Sequence, residues 1–160
     1  MGVFRALTAT ISPDIYQPEN GNDIHVVELE KQMSEKKQMN IRNLPIEPCS
    51  FDPLTGFYRN GCCDTGDNDR GVHTVCVILT EEFLVFSKSV GNDLSTPMPQ
   101  YNFPGLLPGQ KWCLCANRWL EALNHDIAPN IVLESTHIKM LKKIDFAILK
   151  NSSIFFLDLT

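Results

Sequence analysis

The chain has 160 residues, of which 43% are hydrophobic and 21% charged, which suffices for one domain with a single core. Its formal net charge of −5 argues against a nucleic-acid partner, because general binding to phosphate needs an excess of Lys and Arg. No stretch approaches the roughly 18–20 apolar residues of a membrane helix, and MGVFRALTATISPD lacks the apolar run of a secretory signal. The reading is therefore a cytoplasmic chain with no membrane partner.

Residues 1–40 are read as a poorly ordered or appended N-terminal arm. Ser12-Pro13-Asp14 and the run Gln17–Asp23 are turn and linker chemistry, and ELEKQMSEKKQ is polar and helix-favouring with one weak apolar face. The compact domain is expected over residues 41–150. Its first third, up to Gly71, is rich in Gly, Pro, Asn and Asp and reads as loop; a loop this long needs a function or an anchor.

Thr74–Leu79 (TVCVIL) is β-branched and apolar, as in a buried strand. Thr80 supplies an N-cap for a helix over Glu81–Ser89, and Gly91 supplies its stop. Residues 91–110 carry four prolines and stay irregular. Trp112–Leu123 then predicts a helix, since Trp112, Cys115, Ala116, Trp119, Leu120, Ala122 and Leu123 share one face, with Leu114 the misfit. A strand at Ile131–Leu133 and a last helix capped by Thr136 complete an α+β domain with a short sheet, two or three helices and long loops. Residues 151–160 form an apolar tail that must dock on the domain or on a partner.

The six cysteines are the chemistry-bearing feature: Cys49, the pair Cys62-Cys63, His73-x-x-Cys76 and Cys113-x-Cys115. In a cytoplasmic chain they read first as thiols rather than as a disulfide framework. Long motifs surround them: DPLTGFYRNGCC (Asp52–Cys63), HTVC (His73–Cys76), GNDLSTP (Gly91–Pro97), FPGL (Phe103–Leu106), PGQKWCLC (Pro108–Cys115), RW (Arg118–Trp119) and STH (Ser135–His137). On these the run from Pro48 to His137 resembles a mostly bacterial family catalogued as domain of unknown function 2237. Ser135 stands where that family is expected to carry Ala, and residues 1–40 and those after Lys150 fall outside the family-like core. The resemblance implies domain limits and no reaction.

Three kinds of site are open to these residues. Loops 52–63, 91–97 and 112–118, with Asp52, Arg59, Asn92, Asp93, Trp112 and Arg118, make a ligand-binding surface for a small molecule or a protein partner, because fixed loops on a rigid scaffold gather such contacts. The same Asp and Asn are good turn formers, and Arg118 has Glu121 or Glu82 to pair with. Cys62 or Cys63 with His73 offers a nucleophile and base for a thiol-dependent enzyme or a redox site. A metal is not assigned and no cofactor is expected: the spacing is no zinc ribbon, and on a helix Cys113 and Cys115 point about 200° apart. Zinc becomes available if Lys111–Cys115 is extended, which sets both sulfurs on one face. Cys76 is placed in a buried strand and Cys115 in the core.

Overall fold

The computed structural model describes residues 38–154. They form an α+β domain built on a two-stranded antiparallel sheet, β1 (Val75–Ile78) and β2 (Lys111–Leu114), with helices α1 (Glu81–Ser89), α2 (Ala116–Leu123) and α3 (Phe146–Asn151). Short 3-10 turns at Pro99–Tyr101, Leu133–Ser135 and Ile138–Lys142 and long loops fill the rest. Residues 1–37 of the N-terminal arm and the last six residues lie outside the described residues. Among the described residues, no helix is long and apolar enough to cross a membrane.

Both helix signals around α1 act locally. The Thr80 side chain accepts from the Phe83 N–H at 3.1 Å, Glu81 and Glu82 occupy the positive amino end and Lys88 the carboxyl end. Gly91, at φ +87°, turns the chain away. Phe83 and Leu84 pack inward against Val75, Val77, Leu114, Trp119 and Ile131 in one apolar core. Trp119 is fully buried, and its indole N–H finds the Pro129 carbonyl at 3.0 Å.

The expected helix over Trp112–Leu123 is corrected at its amino end. Lys111–Leu114 is strand, pairing with Ile78–Val75, and the helix starts at Ala116. Trp112, Cys113 and Leu114 are consecutively buried, which a strand inside a domain permits and a one-sided helix does not. Leu114, the residue that broke the helical pattern, was the sign of the change.

The C-terminal part is also less regular than expected. Ile131 makes single bridges to Val77 and Ser153 instead of a strand, and residues 152–154 dock there. The last predicted helix is a 3-10 turn, Ile138–Lys142, capped by His137 rather than by Thr136. The Thr136 hydroxyl is occupied elsewhere, donating to the Val132 carbonyl at 2.8 Å and accepting from the Cys76 N–H at 3.2 Å.

Candidate active site

The β1–β2 register decides what meets at the ends of the strands. Val75 faces Leu114, so one further step sets Thr74 opposite Cys115 with His73 next along the chain. The Ala116 N–H closes this end on the Val72 carbonyl at 3.0 Å. Cys115 is thereby held at the N-cap of α2, half-buried and with a free thiol, where the helix dipole favours negative charge.

His73 is oriented from behind by Asp69. Its Nδ1 lies 2.6 Å from Asp69 Oδ1, and its own backbone N–H donates to Asp69 Oδ2 at 2.8 Å. The Thr65 hydroxyl donates to that same Oδ2 at 3.0 Å. The Asp69 side chain is wholly buried. Burial alone pushes its carboxyl up; the hydrogen bonds from His73 and Thr65 and the imidazole charge outweigh it and hold the group below the usual range.

Beside the ring lies the Cys115 sulfur. Hydrogen bonding to Cys115 is the largest influence on His73; burial opposes it, and the Cys115 charge and Asp69 add to it, lifting the imidazole to about 9. Gly71 makes the close approach possible. A β-carbon there would stand 2.7 Å from His73 Cε1 and 3.1 Å from the Cys115 sulfur, inside ordinary contact with both.

Cys115 and His73 form part of the wall of a cleft of about 430 Å³, whose other walls include Phe57, Arg59, Asn92, Asp93, Phe103 and Trp112. The Arg59 guanidinium sits 5.2 Å over the Trp112 ring, and no carboxylate among the described residues pairs with it. The Cys115 and Asn117 backbone N–H groups have no acceptor among the described residues. Both are at the amino end of α2, where an oxyanion would find donors.

Of the residues expected to bind a ligand, the structure brings Arg59, Asn92, Asp93 and Trp112 to this cleft. Asp52 is exposed away from it, and Arg118 pairs with Glu121 at 3.0 Å on the other side of α2. Asn92 and Asp93 also serve the turn: Asn92 Nδ2 donates to Ser87, and Asp93 accepts from the Ser95 and Thr96 backbone.

Cys62 and Cys63 are not brought to His73. Cys63 is disulfide-bonded to Cys113, and Cys49 to Cys76, so four of the six cysteines read as thiols are paired. Cys62 is free, and burial, then the Asp64 charge, pushes its thiol up. Cys115, assigned to the core from a helical face that its segment does not form, is the thiol in the cleft. Asp69 was missed altogether, although its spacing of four from His73 was a visible signal.

A free thiol and an imidazole in the wall of a small cleft, with a buried carboxylate behind the imidazole, make a candidate cysteine–histidine–aspartate site on an α+β domain. The chain matches the family model "Uncharacterized protein conserved in bacteria (DUF2237)" over residues 39–153, and it belongs to that family. No curated protein matches it.

Proposed function

We propose that this domain is a thiol-dependent enzyme acting on a small anionic molecule, with Cys115 as nucleophile, His73 as base and Asp69 as its positioning residue. The carrying observation is that Cys115 and His73 share the wall of a cleft while buried Asp69 holds His73 from behind. A volume of about 430 Å³ suits a small ligand. Arg59, free of a carboxylate partner among the described residues, suits a carboxylate or phosphate on that ligand, and Trp112 supplies an apolar wall. The binding surface is the part of the converging loops that reaches the cleft, through Arg59, Asn92, Asp93 and Trp112, and the chemistry lies in the same wall. Cys115 acts only as a free thiol, so the role needs this one cysteine kept reduced.

Acyl transfer is the reaction class the donors favour. With Nδ1 engaged by Asp69, His73 Nε2 is the atom left to take the Cys115 proton; the ring does so in its neutral form, which gains population as pH rises toward about 9, and the sulfur attacks the acyl carbon. The developing oxyanion meets the Cys115 N–H at the amino end of α2. His73 returns the proton to the leaving group, and a thioester on Cys115 remains for water or a second nucleophile.

Brief exposure of the chain to p-nitrophenyl acetate followed by peptide mass mapping tests this. Acetyl on Cys115, absent from His73→Ala, is the expected result. Acetyl spread over lysines with Cys115 unmodified would refute it.

A further inference from the structure

The other four cysteines make a second group, of which Cys113 also lines the cleft. Cys76 and Cys113 face each other across β1 and β2. Their N–H groups go to the Thr136 and Thr55 hydroxyls, at 3.2 and 2.8 Å, instead of to each other's strand. Such a non-hydrogen-bonded pair brings side chains closest together. Over this sheet face lies the loop that carries Cys49 and Cys63, itself tied by the Cys49 N–H to the Gly61 carbonyl at 2.8 Å. All four are 5% exposed or less.

The sulfurs of Cys49, Cys63 and Cys76 lie within 4.8 Å of one another, and Cys113 is bonded to Cys63. A tetrahedral zinc tetrathiolate, with bonds of about 2.3 Å, has sulfurs about 3.8 Å apart. The two pairs have Cα separations of 5.8 and 5.2 Å. The two strand positions and the loop thus already hold four sulfurs at the scale of one ion, in a closed, buried setting of the structural kind.

We propose that the reduced chain binds one zinc-class divalent ion through Cys49, Cys63, Cys76 and Cys113, so that this group alternates between two disulfides and a metal tetrathiolate. Reduction takes four electrons and four protons, supplied by two equivalents of a dithiol that leaves as its cyclic disulfide. Binding of Zn²⁺ then releases the four thiol protons. The chain order hid the site, because its ligands come from four separate segments and neither vicinal Cys62 nor Cys115 belongs to it.

The test uses the full chain with Cys62→Ser and Cys115→Ser, reduced anaerobically with a dithiol and freed of reductant, and Co²⁺ as probe. Expected are one Co²⁺ per chain, the strong visible bands of tetrahedral cobalt with a thiolate charge-transfer band, displacement by Zn²⁺, and protection of four thiols from alkylation by Zn²⁺. Adding Cys76→Ser should abolish the charge-transfer band or shift the spectrum to a weaker site. Should that variant not fold, protection of four thiols in its parent supports the tetrathiolate, and protection of fewer overturns it. Uptake well below one Co²⁺ per chain, a pale octahedral spectrum, or thiols unprotected by Zn²⁺ would likewise overturn the proposal.

Discussion

Cys115→Ala removes the largest influence on His73 and gives the sharpest view of their interaction. An imidazole held at about 9 rather than about 6.5 binds its proton more tightly in the folded chain by about 3 kcal/mol, at about 1.4 kcal/mol per pH unit. The side chain is 32% exposed, and solvent screening trims this to about 2 kcal/mol. Because the folded value is raised, the stabilisation is complete below about pH 6.5 and is lost as pH rises through about 9. NMR of the histidine Cε1 protons should show one ring titrating near 9 in the parent and falling by about one pH unit or more in Cys115→Ala. Urea unfolding between pH 6 and 9.5 should show the pH-dependent loss shrinking by about 1–2 kcal/mol in the variant. A parent His73 titrating near 6.5, or one indifferent to the substitution, would refute the reasoning.

Three other outcomes follow from the same contacts. Asp69→Asn strips a buried carboxylate from bonds to Thr65 and His73 and should lower stability by about 1–3 kcal/mol, read by urea unfolding, while slowing Cys115 alkylation. Gly71→Ala forces the His73 ring or the Cys115 sulfur aside, so alkylation of Cys115 should fall about tenfold with an unchanged circular dichroism spectrum; unchanged reactivity would show that the two side chains do not cooperate. His137, buried and held down near 4 by burial and then Lys139, stays neutral in the fold; its contribution is present above about pH 6.5 and lost as pH falls toward 4, so the acid sensitivity of unfolding should be smaller in His137→Gln by about 2 kcal/mol.

What the sequence made legible was what short-range physics decides. Thr80, Gly91 and the apolar residues between them define α1 within about ten residues of chain, and the Asp93 turn forms on its own neighbours. Lys111–Leu114 was different: Trp112, Cys115 and Ala116 fit the apolar face of the following helix by spacing alone. The pairing partner that makes the segment a strand lies more than thirty residues earlier. The same long-range register brings Cys115 to His73, and the loop over the sheet brings Cys49 and Cys63 to Cys76 and Cys113. Paired cysteines in sequence therefore pointed to Cys62-Cys63, while the fold sends these neighbours to different surroundings.

Native alkylation of the full chain at pH 7 with substoichiometric iodoacetamide, mapped by peptide mass spectrometry, tests the thiol site most directly. Cys115 should be labelled first, at least about tenfold faster than Cys62, and His73→Ala should remove the advantage. Preferential labelling of Cys62, or equal labelling of both, would contradict a nucleophile at Cys115.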